Sequence, residues 1–151
     1  MAMTMNGEYE LAAPVQTVWE KLNDAATLKA CIPGCEQLDK TSDTEFQAVA
    51  TVKIGPVKAK FKGKVTLSDL DPPNGYKISG QGDGGVAGFA KGGATVKLAP
   101  KNGGTLLSYN VDAQIGGKLA QLGQRLVNGA AKKIADDFFA NFANAVNPKA
   151  V

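Results

Sequence analysis

The sequence predicts an α+β protein in which a curved antiparallel sheet packs on a long C-terminal helix. Segments of alternating apolar and polar residues, joined by short turns, fill most of residues 6–115. From Gly117 to about Val146 the apolar residues recur at helical spacing instead. With 151 residues, 44% of them hydrophobic, the chain suits a single domain over residues 1–151. The expected order is one strand, two short helices, six strands and the long helix.

The N-terminal elements follow from local signals. Residues 6–13 alternate as a first strand, and Pro14 suits the first turn of a helix. That helix is predicted by apolar residues at positions i, i+3, i+4 and i+7, which are Val15, Val18, Trp19 and Leu22. Asp24 is a candidate cap for a second short helix, which Pro33 and Gly34 should end.

Five of the six later strands can be located from their alternation. They cover residues 45–55, 57–69, 76–82, 94–99 and 105–115. Turn sequences separate them, including Gly55-Pro56 and Asn102-Gly103. Hairpin-length connections make neighbouring strands antiparallel. The long helix carries an apolar stripe that rotates along its length, so it either wraps a curved surface or bends at Gly129.

The segment Gly80-x-Gly82-x-x-Gly85 has the spacing of a dinucleotide-binding fingerprint. That motif must open a helix and be followed by an acidic residue about 20 positions later. Here the following residues alternate as a strand, and residues 100–105 contain no acid. The glycines are therefore predicted to lie in or between strands, where they permit close backbone approach.

Several kinds of chemistry are excluded by composition. The chain contains no histidine, which rules out Ser-His-Asp, Cys-His and HExxH sites. Arg125 is the only arginine despite a net charge of +3, which disfavours nucleic acid as a partner. Cys31 and Cys35 have a CxxxC spacing with no second pair, so two thiols flanking a turn are favoured over a redox or zinc site. No secretory signal is visible, so a cytoplasmic location is expected.

A concave sheet face with many small residues can leave a pocket beneath the helix. The candidate ligand-binding residues are Trp19, Phe46, Ala50, Val52, Phe61, Tyr76, Ile78, Phe89, Val96, Leu107, Tyr109, Leu122, Leu126, Ile134 and Phe138. The alternative is ordinary core packing. On this face only Tyr76 and Tyr109 are titratable, which favours binding of an apolar ligand over acid-base catalysis.

The opposite face of two strands carries a lysine row, consisting of Lys53, Lys58, Lys60, Lys62 and Lys64. It is either a solvated face that discourages aggregation or a contact for anionic lipid or an acidic partner.

Most of the chain, from about residue 5 to 142, resembles the CoxG family of carbon monoxide dehydrogenase subunits, within the START-like, helix-grip superfamily. The residues that carry the likeness include "CIPGCEQL", "KIGPVKAKFKGKVTL", "GFAKGGATVKL", "GGKLAQLGQRL" and "AKKIADDFF". The resemblance implies a START-like ligand-binding domain with a cavity between sheet and helix. It identifies no catalytic residue, metal ligand or covalently bound cofactor.

The resemblance also implies partners. These are a carbon monoxide dehydrogenase-like molybdenum hydroxylase and a hydrophobic small molecule, a quinone or a lipid. Because the sequence ends at residues 147–151 without the extension of longer relatives, membrane contact is expected to be peripheral, at the inner face of the cytoplasmic membrane. The lysine row, Phe139 and Phe142 are the candidate contacts. Two alternatives stay open: a small START-like cyclase or isomerase using Tyr76 or Tyr109, and a protein-interaction module with a filled core.

Overall fold

A computed structural model describes residues 1–146, and the expectation placed on residues 147–151 lies outside them. Seven antiparallel strands form one sheet in the order β1-β7-β6-β5-β4-β3-β2. The strands are β1 (Ala2–Leu11), β2 (Cys35–Ser42), β3 (Glu45–Ile54), β4 (Val57–Asp71), β5 (Gly75–Asp83), β6 (Phe89–Lys101) and β7 (Gly104–Gly116). The helices are α1 (Val15–Leu22), α2 (Ala25–Cys31), α3 (Lys118–Gln121) and α4 (Gln124–Val146). The α+β prediction is confirmed.

The two short helices form where the local signals place them. Pro14 directly precedes α1, and the side chain of Asp24 caps α2 by accepting a hydrogen bond from the backbone N–H of Thr27. A cap of this kind contributes about 1 kcal/mol. Asn141 of α4 donates a side-chain hydrogen bond of 3.0 Å to the carbonyl of Cys31, which ties the end of α2 to the long helix.

The sixth strand, which the alternation pattern did not locate, is β2. It lies at one edge of the sheet, and only Cys35 and Leu38 along it are even partly buried. An edge strand that buries little needs no apolar alternation, so period-2 analysis has nothing to detect.

The glycine-rich segment is strand, turn and strand. β5 runs to Asp83, a single 3-10 turn covers Gly85–Ala87, and β6 begins at Phe89. No helix follows the glycines, so the interpretation against a nucleotide fingerprint is confirmed. At Gly84 a side chain would meet the ring of Phe61, since a Cβ there would lie 2.6 Å from its nearest ring carbon.

The C-terminal helix is broken, but not where the sequence suggested. α3 ends at Gln121 and α4 begins at Gln124, so the prediction of one continuous helix from Gly117 was wrong. Of the two alternatives left open, the bend at Gly129 is also wrong, because α4 continues through that residue. Gly123 has a φ of +93°, a conformation that ends a helix and suits glycine. Gly129 stays helical and faces solvent.

The core lies between the inner face of the sheet and the helices. Phe142, Leu107 and Val18 are its largest fully buried apolar side chains. Phe142 is 0% exposed and Phe139 is half-buried against the core, so neither forms an exposed aromatic surface. The assignment of Phe142 as a membrane contact was therefore wrong, because the rotation of the helical stripe turns this part of α4 toward the sheet. The assignment of the partly buried Phe139 stays a prediction.

Candidate ligand-binding cavity

Two connected apolar chambers lie between the sheet and α4. The outer chamber has a volume of about 380 Å³ and is lined by Met5, Ile32, Pro33, Ile78, Ala94, Val96, Tyr109, Val111, Ala131, Ile134, Ala135, Phe138 and Phe139. The inner chamber has a volume of about 270 Å³ and is lined by Leu22, Leu28, Ile32, Leu38, Phe46, Val65, Leu67, Tyr76, Ile78, Val96, Leu107, Phe138 and Phe139. Five residues border both chambers, which makes them adjoining parts of one cavity.

Small side chains and the position of α4 create this space. Ala94 of β6 and two alanines of α4, Ala131 and Ala135, line the outer chamber where larger residues would fill it. The segment that follows α2 closes one side through Ile32 and Pro33. Of these lining residues, sequence analysis missed the two helical alanines and the two loop residues, because alanines and loop residues give no distinctive apolar pattern.

A third space, the hairpin groove, separates the β3–β4 hairpin from α4. It has a volume of about 710 Å³ and shares Pro33 and Ile134 with the outer chamber. Its lining includes the apolar side chains of Leu122 and Leu126. Its polar lining residues are Thr51, Lys53, Arg125, Lys133 and Asp137. The shared residues place the groove directly beside the outer chamber.

Tyr76 provides the only polar side-chain atom among the residues that line the inner chamber. Its side chain is buried, 6% exposed, and its ring meets Trp19 edge-on at a centroid distance of 5.3 Å. Burial raises the pKa of Tyr76, so its hydroxyl stays protonated in the physiological range. Tyr109 is the only titratable residue that lines the outer chamber.

A hydrogen-bonded cluster that sequence analysis missed lies where β1 meets α4. The Tyr9 hydroxyl donates to Asp136 Oδ1 at 2.6 Å, and Lys132 Nζ donates to Asp136 Oδ2 at 2.8 Å. The Tyr9 ring stacks on Phe139 at a centroid distance of 4.2 Å. This cluster borders a flank pocket of about 360 Å³, and Tyr109 lines both that pocket and the outer chamber. The i, i+4 spacing of Lys132 and Asp136 was the available signal.

The predicted ligand-binding residues fall into three groups. Eight border the chambers: Phe46, Tyr76, Ile78, Val96, Leu107, Tyr109, Ile134 and Phe138. Three line only the hairpin groove: Val52, Leu122 and Leu126. Four line neither the chambers nor the hairpin groove: Trp19, Ala50, Phe61 and Phe89. Trp19 packs on Tyr76, and Ala50 lies opposite Phe61 in the pairing of β3 with β4. Phe61 packs against a second core cluster, and Phe89 is 48% exposed. That these residues contact a ligand stays a prediction.

The lysine row lies on the outer face of β3 and β4, with all five side chains exposed. Lys60 of β4 pairs with Glu36 of β2 at 3.5 Å, across the intervening strand β3. Lys64 of β4 pairs with Glu45 of the neighbouring strand β3 at 3.4 Å. Exposed pairs of this kind contribute about 0.2–1 kcal/mol each. Lys53 and Lys58 lie directly opposite each other in the register, an arrangement that disfavours folding slightly.

Other candidate chemical groups lie away from the chambers. Asp83, Lys91 and Asp112 are exposed and do not turn inward beside a tyrosine. Cys31 and Cys35 are free thiols, and burial raises the pKa of each. Within residues 1–146, no group of three or more Cys, Asp or Glu side chains is placed to hold a metal ion. The same residues include no helix that is both long and apolar enough to cross a membrane.

The sequence matches the family model for the carbon monoxide dehydrogenase subunit CoxG over residues 7–147. Among solved structures, a conserved protein from Geobacillus kaustophilus is 34% identical, with 95% of each chain covered and a TM-score of 0.89. The sequence matches none of the curated proteins with which it was compared.

More distant structures share the fold. The Zhui aromatase/cyclase from Streptomyces sp. R1128 is 12% identical, with 97% of this chain and 94% of that chain covered and a TM-score of 0.70. The protein Ara h 8.0201 is 14% identical, with 97% and 98% covered and a TM-score of 0.68. At these identities the likeness establishes the helix-grip architecture alone.

Proposed function

The chain belongs to the CoxG family of carbon monoxide dehydrogenase subunits, and on that premise we propose that it is a non-catalytic accessory protein of a carbon monoxide dehydrogenase-like molybdenum enzyme. It holds a hydrophobic ligand, a quinone or a lipid, in the chambers between sheet and α4. It also helps to bring the enzyme to the inner face of the cytoplasmic membrane. The observation that carries the proposal is the pair of connected chambers lined almost entirely by apolar side chains.

The chemistry of the lining supports binding rather than reaction. Ligand sites are typically concave, mostly apolar and furnished with few polar groups. Among the lining residues of the two chambers, only Tyr76 and Tyr109 titrate, and neither has a carboxylate or amine beside it in the chambers. General acid-base catalysis needs a proton donor and acceptor with pKa values near the working pH, which this lining does not offer.

The hairpin groove supports entry from the surface. Its walls, the β3–β4 hairpin and α4, meet the outer chamber at Pro33 and Ile134. Ile134 is 36% exposed and Leu126 is 41% exposed, so an apolar path leads inward from solvent. An apolar molecule moving along it would exchange contact with water for contact with side chains at each step.

A second candidate function is a START-like cyclase or isomerase. The observation that favours it is the Tyr9–Asp136 hydrogen bond beside Tyr109, a polar cluster at the wall of the outer chamber. In that case Tyr109→Phe should abolish turnover of the cyclase or isomerase substrate without abolishing its binding. If the variant keeps any activity that is found, this mechanism is excluded.

The ligand-binding proposal is tested by native mass spectrometry of the purified protein, with organic extraction of any bound molecule, before and after adding a short-chain quinone. Ala135→Leu places added volume in the outer chamber, whereas Ala140→Leu makes the same change at an exposed position of the same helix. We expect Ala135→Leu to weaken quinone binding at least tenfold and Ala140→Leu to leave it unchanged. Equal binding by both variants would show that the ligand does not occupy the outer chamber.

The recruitment proposal is tested separately, by flotation of the protein and its partner enzyme with vesicles of anionic phospholipid. Replacing Lys53, Lys58 and Lys62 by Gln removes the lysines of the row that have no ion pair among residues 1–146. If the row contacts anionic lipid, each lysine contributes about 1 kcal/mol of binding free energy near the membrane surface. The triple variant should therefore no longer float with the vesicles, and flotation of the wild type should weaken as salt is added. Flotation that survives both changes would exclude the row as the contact. Binding to the enzyme without any ligand would favour the interaction-module alternative.

A further inference from the structure

The Tyr76 hydroxyl makes no hydrogen bond to any side chain or backbone group of residues 1–146. Its ring is held by Trp19 on one side, and its side chain lines the inner chamber. Within residues 1–146, no fully enclosed polar side-chain atom lacks a hydrogen-bond partner. The unpartnered Tyr76 oxygen is therefore not fully enclosed by packed atoms, and the side chain that carries it lines the inner chamber.

A hydroxyl that is not enclosed and has no protein partner is free to donate to a molecule that enters the chamber. Buried polar groups in proteins are nearly always hydrogen-bonded, so a polar atom in an apolar wall favours a ligand that supplies the missing acceptor. A phenylalanine would fill the same wall of the chamber without a polar atom. The packing of the core therefore does not use the hydroxyl.

We propose that the inner chamber selects ligands that carry a neutral hydrogen-bond acceptor, a ketone- or quinone-type carbonyl oxygen, which accepts a hydrogen bond from the Tyr76 hydroxyl. This inference rests on the proposed function, since it names the ligand chemistry of the same cavity. Trp19 is a positioning residue here, because its edge-on contact fixes the Tyr76 ring without touching the chamber.

The same chamber disfavours charged headgroups. Its lining contains no lysine or arginine, so a carboxylate or phosphate would lose its water without gaining a cation. Because burial raises the pKa of Tyr76, the hydroxyl remains a donor and does not become a competing anion. The chamber therefore favours the binding of a ligand with a neutral carbonyl over the binding of a fatty acid carboxylate.

Three probes on one ring system test this selectivity by isothermal titration calorimetry. The ketone probe is 2-acetylnaphthalene, its near-isostere 2-isopropenylnaphthalene replaces the oxygen by CH₂, and 2-naphthoate carries a charge. Because the two neutral probes differ in their hydration, the informative quantity is the ratio of their dissociation constants. We expect Tyr76→Phe to shift that ratio against the ketone by about fivefold to tenfold, the size of one net hydrogen bond. 2-Naphthoate should bind wild type at least tenfold more weakly than the ketone.

Thr41→Val is the control, because it removes a hydroxyl at an exposed position of β2, away from the chambers, that already donates to the Glu45 carbonyl. It should leave the ratio unchanged. A measurement on wild type alone gives an independent readout, since a hydrogen bond lowers the infrared stretching frequency of the bound carbonyl below its value in cyclohexane. A ratio unaffected by Tyr76→Phe, or a bound carbonyl that absorbs as in cyclohexane, overturns the inference and leaves apolar ligand binding standing. Binding of none of the probes overturns the proposed function and the inference together.

Discussion

Replacing Phe142 by alanine should remove a large part of the stability of the protein. Phe142 is 0% exposed, stacks on Phe138 at a centroid distance of 5.7 Å, and belongs to the main core cluster. Removing a fully buried phenylalanine costs the transfer free energy of the ring plus the cost of the cavity left behind, together about 3–5 kcal/mol. Because a domain of this size is stable by only about 5–15 kcal/mol, the loss is severe.

Phe89 provides the matched control, since it is the same residue type at 48% exposure. Half of its ring is already in contact with water, and its removal creates no enclosed cavity. Fully burying a phenylalanine is worth about 1.5–3 kcal/mol, so Phe89→Ala should cost about 1 kcal/mol. The two substitutions therefore differ by at least about 2 kcal/mol in the free energy of unfolding.

Urea denaturation followed by circular dichroism measures the difference. With a slope of about 2 kcal/mol per molar urea, the midpoint should fall by roughly 2 M for Phe142→Ala and by roughly 0.5 M for Phe89→Ala. An equal fall for both variants would refute the placement of Phe142 in the core. It would also restore this part of α4 as a candidate membrane contact.

Three further substitutions test other features of the molecule. Gly129→Ala should raise the free energy of unfolding by about 1 kcal/mol, because an added Cβ meets nothing within 4 Å on a helix; a loss of stability would show that the glycine is needed there. Lys53→Glu should raise the free energy of unfolding by about 0.2–1 kcal/mol, because the new carboxylate lies opposite Lys58 on the paired strand. If the increase persists in 1 M salt, it does not come from the charge pair, and the reasoning fails. Asp136→Asn should lower the melting temperature at neutral pH, because the hydrogen bond from Lys132 holds the pKa of Asp136 below its usual value. The stabilisation of the folded state by Asp136 is complete above the ordinary aspartate pKa of about 3.9, and it is lost as the pH falls through the lowered pKa of the folded protein. The difference in melting temperature between wild type and variant should therefore shrink in acid, and a difference that grows in acid would contradict this reasoning.

Local patterns were enough to predict most elements and their faces. Alternation along β4 correctly separated Ala59 and Leu67, which are buried, from the exposed lysine row. Asp24 predicted the start of α2, and the strand-like residues after Gly85 correctly argued against a nucleotide site. These features depend on neighbours two to four positions apart, and such neighbours are visible in the sequence.

The candidate site was less predictable because it depends on the distance between elements. The alternation pattern put Phe46, Ile78 and Val96 on the inner face, but whether such residues touch one another or border a cavity depends on how far α4 stands from the sheet. Ile32 and Ala135 line the chambers only because of the way α2 and α4 pack. No periodicity in a single segment contains that information.

By itself, the sequence determined the class of fold, the inward and outward faces of the strands, and the small number of titratable groups on the inner face. Only the tertiary structure decided that the C-terminal helix breaks at Gly123, that Phe142 is buried, and that Tyr76, whose hydroxyl has no partner among residues 1–146, lines a chamber. The physical reason is that backbone periodicity assigns a side chain to a face, whereas packing between distant segments decides what that face meets.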